Sequence, residues 1–294
     1  MAGIGFELRH MLRKNTLMGL VQAYAYAGVI GSGPWVLSIV GILLVGIFSA
    51  SVVIPSHLIT QFQTSVTYLV AGSLIYTGLV QLAFTRFVSD RLFEKNKHLI
   101  LPNLHGLLVL VLLGAGALAT LALFVLLPGQ GLLYRLLMLA GFTLMCGVWV
   151  LTVLLSGMKR YQAIVALFGL SYGLIVVASL LMRPWGLEGL LGGFVLGHYV
   201  LLAGMWLMVV KEFGPIDRLV GFDFLQRKHL YVTLVAIGFL YNLGVWTDKF
   251  MFWFFPPTSQ AIIGQLRASL IYDLPVFLSY LSIIPGMAVF LVRI

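Results

Sequence analysis

A chain of 294 residues that is 61% apolar and 9% charged cannot clothe a soluble globule, whose charged residues usually make up about a quarter of the total. The stretch from Asn15 to Thr85 holds no Lys, Arg, Asp or Glu at all. The net charge of +9 does not point to nucleic acid, because the basic residues are spread loop by loop rather than gathered on one surface.

Apolar stretches of about 20 residues match the ~30 Å hydrocarbon core of a bilayer. Charges taken as boundaries predict eight spans in chain order: Trp35 to Ile54, Val66 to Phe87, Leu104 to Leu127, Leu132 to Ser156, Ala163 to Met182, Gly189 to Val210, Leu230 to Phe255 and Leu270 to Val292. Backbone in lipid must satisfy its own hydrogen bonds, and the short alternating runs of a membrane barrel are missing. The expected fold is all-α, a polytopic helical bundle.

Ahead of the first span, Phe6, Met11, Leu12 and Leu17 can lie on lipid while Arg9, His10, Arg13 and Lys14 face headgroups. Residues 1–33 therefore read as a cytoplasmic amphipathic segment and helix entry, without the pattern of a cleaved signal peptide. Gly28, Gly31, Ser32, Gly33 and Pro34 then break the helix. Broken helices in transporters often mark substrate sites, and a joint between an interfacial helix and the first span would read the same way.

The connections are short. With the N-terminus inside, 14 of the 18 basic residues fall in cytoplasmic segments, among them Lys95 and Arg218, while Pro128 and Thr258 face the other side. Small residues at four-residue spacing, Gly169 with Gly173 and Gly193 with Gly197, predict close helix contacts, as does the run Gly114 to Ala117. Cys146, the single cysteine, lies within the fourth span.

Polar residues at membrane depth are the candidates for function. Asp248 and Lys249 lie inside the seventh span, where a charge costs at least ~2.5–3.5 kcal/mol and should face protein or water. Neighbours in a helix project about 100° apart, so each is expected to address a different partner: a polar residue elsewhere, solvent or substrate. A structural ion pair with another helix is the competing role. Tyr241 and Trp246 are deep enough to line a cavity, whereas Phe252 to Phe255 fit an interfacial aromatic belt. Asp273, two residues before Pro275, suits a helix N-terminus. His198 reads as a packed histidine, with proton transfer as the alternative. Phosphate loops, paired metal-binding histidines, CxxC and nucleophile elbows are all missing, so neither enzymatic activity, metal nor cofactor is expected.

Several segments together resemble a known family. They are Met1-Ala2-Gly3-Ile4-Gly5-Phe6-Glu7-Leu8-Arg9, Ala23-Tyr24-Ala25-Tyr26-Ala27-Gly28, Gly31-Ser32-Gly33-Pro34-Trp35, Gly244-Val245-Trp246-Thr247-Asp248-Lys249-Phe250 and Asp273-Leu274-Pro275. The chain is similar along its whole length to the PelG family, inner-membrane transport subunits of bacterial Pel exopolysaccharide secretion systems. That family falls in the superfamily of multidrug, oligosaccharidyl-lipid and polysaccharide exporters. The resemblance implies a flippase-like transporter with two six-helix lobes around a cavity open alternately to each side. It implies export of a biofilm polysaccharide rich in N-acetylgalactosamine and galactosamine, with membrane lipid around the protein. A cytosolic glycosyltransferase and membrane subunits, one sensing cyclic di-GMP, are the partners it implies.

On that pattern residues 34–212 form the N-terminal lobe and 213–294 begin the C-terminal one, so roughly the last third of a twelve-helix transporter is expected to be absent. Two other functions compete: an ion-coupled exporter of small organic cations, and a non-conducting membrane scaffold for a glycosyltransferase complex.

Overall fold

The structure, a computed structural model, describes residues 41–48, 56–156, 161–215, 218–226 and 231–293. The amphipathic segment and the helix break at Gly31, Gly33 and Pro34 lie outside the described residues, as do the ends of the first expected span, of which 41–48 is helical.

Seven longer helices follow: α1 (Ser56–Phe93), α2 (Ile100–Leu126), α3 (Leu132–Ser156), α4 (Tyr161–Met182), α5 (Gly186–Phe213), α6 (Val232–Phe254) and α7 (Leu270–Arg293). Each overlaps one expected span. The all-α membrane fold therefore stands. Four helical stretches among the described residues, 57–93, 97–126, 132–155 and 163–213, are long and apolar enough to cross a membrane. The last of these folds back through a 3-10 turn at Arg183–Trp185 into α4 and α5. Helix α6, with Asn242, Asp248 and Lys249, is not among the four.

Helix α1 begins ten residues before its expected start, in the polar sequence Ser56 to Ser65. Its hydroxyls satisfy themselves locally: Ser65 Oγ donates to the Gln61 carbonyl at 2.7 Å and Thr67 Oγ1 to that of Gln63 at 2.8 Å. Ser65 then accepts from the buried phenol of Tyr134 at 2.7 Å, tying α1 to α3.

Helices α1 to α5 enclose one apolar core, in which Phe62, Phe87, Tyr134, Phe168 and Phe194 are fully buried. Gly193 and Gly197 serve the close packing expected of them. A Cβ at Gly193 would collide with the backbone of Ser179, and one at Gly197 with Ile175, so α4 and α5 approach as an antiparallel pair. The Gly169–Gly173 face differs from expectation: a Cβ at either would meet no described atom within 4 Å. Spacing marks a small face but cannot say what lies against it. Helix α6 crosses α1 at another glycine pair, where a Cβ at Gly78 would sit 2.7 Å from the Gly238 carbonyl oxygen.

The connections sort into two ends. At one end a two-stranded antiparallel hairpin, β1 (Gln260–Ile263) and β2 (Leu266–Ala268), follows α6. No strand is expected there from the sequence. Side chains of α1 satisfy its outer edges: Gln61 Nε2 donates to the Ile262 carbonyl at 3.3 Å. Tyr68 Oη donates to the Arg267 carbonyl at 3.0 Å and accepts from the Arg267 amide at 3.2 Å. The hairpin turn rests on the end of α2, where the Gln265 amide donates to the Leu126 carbonyl at 3.3 Å.

At the opposite end the segment joining α5 to α6 runs across the start of α2. The Gly221 amide donates to the Pro102 carbonyl at 2.8 Å. Phe224 inserts edge-on against Phe84 and Phe87, with ring centroids 5.7 and 6.4 Å away. The neighbourhoods of Lys95 and Arg218 thus share one end, and those of Pro128 and Thr258 the other, as alternation across the spans requires.

Candidate functional site

Helix α6 leans on α1 with Trp246, Lys249 and Trp253, which are buried, and turns the stripe Tyr241, Val245, Asp248 and Phe252 away from it. Three- and four-residue steps place these four on one helical face. The beginning of α7 packs against the upper part of that stripe. Tyr272 stacks on Phe252, centroids 3.9 Å apart and planes 10° from parallel, and its hydroxyl donates to Asp248 Oδ2 at 2.5 Å.

Lys249 folds back on its own helix. Its Nζ donates to the Val245 carbonyl at 3.1 Å and to Asp248 Oδ1 at 3.2 Å, and stands 5.2 Å from the centre of the Trp246 ring. This corrects the expectation that adjacent Asp248 and Lys249 are poor partners. The Cβ directions do diverge, but the four-carbon lysine stem is long enough to bend its ammonium towards the neighbouring carboxylate once Trp246 closes the other direction. The pair is asymmetric. The lysine side chain is 7% exposed and that of Asp248 45%, so a buried cation is offset by a carboxylate that keeps one side open.

Trp246 is buried, and its indole nitrogen has no hydrogen-bond acceptor among the described residues. Its role in the cluster is the ring face it presents to Lys249, a cation–π contact that strengthens where water is excluded. Tyr241 lies two turns from Asp248 on the same stripe and is 70% exposed, which places it on the open face rather than among the packed residues.

Asp273 belongs to a neighbouring cluster, one turn along. Its Oδ2 accepts from the Ser269 amide at 3.0 Å, where α7 begins, and its Oδ1 from the Trp253 indole at 2.8 Å. Trp253 in turn stacks on Tyr68 of α1 at 4.8 Å. The carboxylate therefore satisfies an unpaired amide of the first turn and fastens α7 to α6. Arg267 and Ser259 extend this cluster through a hydrogen bond into the hairpin. His198, on α5, is buried between Phe194 and Tyr172 and its Nδ1 donates to the Phe194 carbonyl at 3.0 Å, the arrangement of a packed histidine.

The sequence profile of PelG, described as "Putative exopolysaccharide Exporter (EPS-E)", matches residues 1–294. The chain belongs to the PelG family. No curated protein and no solved structure matches it. The family is one of exporters, and this PelG-family chain carries an open carboxylate backed by a buried lysine on α6. Such a pair can hold a cationic or hydroxyl-bearing group briefly at the open side of the Asp248 carboxylate.

Sequence reasoning missed a second polar centre, at Asn103. Its side chain is buried, with Nδ2 donating to the Leu99 carbonyl and to Asp223 Oδ2, both at 2.8 Å. Its Oδ1 accepts from the amides of Asp223 at 2.6 Å and Phe224 at 3.3 Å. Arg218 pairs with the same Asp223 carboxylate. Next to it, His105 Nδ1 donates to the Leu219 carbonyl at 2.8 Å while Nε2 accepts from the Trp206 indole at 3.1 Å, which fixes a neutral tautomer. Tyr231, at the start of the next helix, donates to Asp90.

Proposed function

We propose that this chain carries a Pel-like, amino-sugar-rich biofilm exopolysaccharide across the bacterial inner membrane through a central cavity, in a flippase-like cycle and with no catalytic step of its own. The family match over residues 1–294 carries the reading. The eight spans belong to a two-lobe, twelve-helix transporter, with residues 34–212 as one lobe and 213–294 opening the other. Asp248 and Tyr241 lie on its cavity side, Lys249 and Trp246 pack behind them against α1, and Asp273 holds α6 and α7 together.

A cytosolic glycosyltransferase delivers the polymer, and a membrane subunit that senses cyclic di-GMP gates the assembly. The N-terminus is cytoplasmic. The end of the bundle that holds Arg91, Lys95, Lys97 and Arg218 carries the positive charge expected on that side.

Orientation is tested by single cysteines in a Cys146→Ser background. Cysteine at position 258 should react with an impermeant maleimide in intact cells, and cysteine at 218 only after permeabilisation; the reverse pattern overturns the orientation. Function is tested by deleting the gene and measuring secreted polymer with the polymerisation components intact. Loss of secretion, restored by the complete coding sequence, supports export. Drug sensitivity with normal secretion would make the protein a small-cation exporter. A secretion defect that arises only through loss of the glycosyltransferase from the membrane would make it a scaffold.

A further inference from the structure

Between α1, α2, α3 and α5, towards the Arg218 end, lies a partly open cavity of about 250 Å³, with Thr85, Ser89, Lys97 and Glu212 exposed at its edge. Among the described residues its lining includes none of α6 or α7, which sets it apart from the Asp248 face. One wall is polar: Gln81, Thr85 and Ser89 follow one another at single-turn spacing along α1. They continue a column that begins with the buried Ser73 and Thr77. Phe84, Leu107 and Leu154 belong to the apolar part of the lining, while Lys97 and Glu212 add charges of opposite sign.

Hydrogen-bond direction gives the polar wall its chemistry. Thr85 Oγ1 donates to the Gln81 carbonyl at 2.7 Å, and Ser89 Oγ to that of Thr85 at 2.9 Å. Gln81 Nε2 donates to Thr77 Oγ1 at 2.9 Å. A hydroxyl has one proton, so with it committed to the helix each has oxygen lone pairs to offer a ligand. The Gln81 amide oxygen is an acceptor as well, and Lys97 supplies a donor.

An occupant that fits must bring several O–H or N–H donors on one edge and a C–H face for Phe84 and the aliphatic wall. A hydrocarbon tail seated on this wall would displace water from the hydroxyl oxygens and offer them no donor. A phosphate or nucleotide, itself acceptor-rich, would face acceptors along most of this wall. A sugar ring has the required two-sidedness. The volume lies below the ~300–1,000 Å³ of sites for drug-sized ligands, which suits one ring rather than an extended chain.

We propose that this cavity is a carbohydrate subsite within the N-terminal helices, taking one pyranose residue of the exported polymer. The assignment rests on the exopolysaccharide reading above and names a contact point apart from Asp248.

The test uses the full chain in phospholipid nanodiscs. Saturation-transfer NMR is run with the neutral sugars N-acetylgalactosamine and methyl galactoside as probes, which bring no charge to Asp248. The wild type should bind at least one of them. The double variant Thr85→Val/Ser89→Ala removes two acceptors that bond only their own helix in the fold, and should bind about tenfold more weakly. Val153→Phe, filling the cavity from α3, should abolish the signal.

Wild-type binding that neither cavity variant alters overturns the proposal. So does the absence of a sugar signal, including the case where native mass spectrometry finds a phospholipid that Val153→Phe expels. The deletion strain separates the two readings: lost secretion without sugar binding here removes only the subsite, and normal secretion removes the export reading itself.

Discussion

Replacing Asn103 by leucine should strip the chain from the membrane or leave it open to protease at the α5–α6 connection, the largest stability effect expected of any single substitution outside the apolar core. Leucine keeps most of the volume, so no large cavity forms. What goes is a side chain that serves four partners at once: the Leu99 carbonyl, the Asp223 carboxylate and the amides of Asp223 and Phe224. The Phe224 amide is buried, and a buried group left without a partner costs about 1–3 kcal/mol. With two amides and a carboxylate affected, a loss of about 3–5 kcal/mol is expected, a large part of the ~5–15 kcal/mol that holds a domain folded.

Asp223→Ala is the graded comparison. It removes the carboxylate contacts to Asn103 and Arg218 but leaves the amides bonded to Asn103 Oδ1, so it should cost about 1–2 kcal/mol. Limited trypsin digestion of membranes would follow cleavage at Arg218, and thermal unfolding in detergent would rank the variants. Equal resistance of wild type and Asn103→Leu would mean that the connection is held by Phe224 alone.

That centre shows where sequence reading stops. A helix in lipid announces itself through twenty apolar residues in a row, and Leu132–Ser156 is found with both expected bounds. Asn103 is one polar residue at the edge of such a run, and its partner lies 120 positions away. Nothing periodic marks it. The early start of α1 was hidden for a related reason. Ser, Thr and Gln lower hydropathy, yet they are accommodated in a helix when their hydroxyls bond the preceding turn and their amides reach another element, as Gln61 does to the hairpin.

The site was legible in residue type but less so in arrangement. Charge at membrane depth singled out Asp248 and Lys249, and the position before Pro275 gave Asp273 its helix-start role, which its bond to the Ser269 amide now explains. The pairing of Asp248 with Lys249 depends on a lysine conformer set by Trp246, and a helical-wheel argument follows Cβ directions only. Tyr272 was invisible as a partner because its stacking on Phe252 needs the hairpin to bring α7 back against α6.

The same geometry sharpens the second prediction. Asp248→Asn keeps the shape of the side chain and can still accept from Tyr272, but it removes the charge that a cationic sugar would meet. A charge-assisted hydrogen bond is worth about 1.5–3 kcal/mol, so its loss should lower polymer secretion about tenfold or more. Coulomb attraction at ~4 Å is only about 1 kcal/mol in water and several times that in partly screened surroundings, so a watery cavity keeps the contact weak enough for polymer to leave.

The buried Lys249 complicates the variant, since its ammonium would lose a charged partner. Two controls separate the causes. Lys249→Gln in the Asp248→Asn background removes the cation that has lost its neighbouring carboxylate, so it should restore any lost abundance without restoring secretion. Tyr272→Phe removes the hydroxyl bond to Asp248 while leaving the charge and the Phe252 stack, and should keep most of the secretion. Secreted polymer is measured per unit of membrane-inserted protein, in a strain with the complete coding sequence. Normal secretion by well-inserted Asp248→Asn would confine Asp248 to holding α6 and α7 together, and the cavity charge would then have to be sought on another helix.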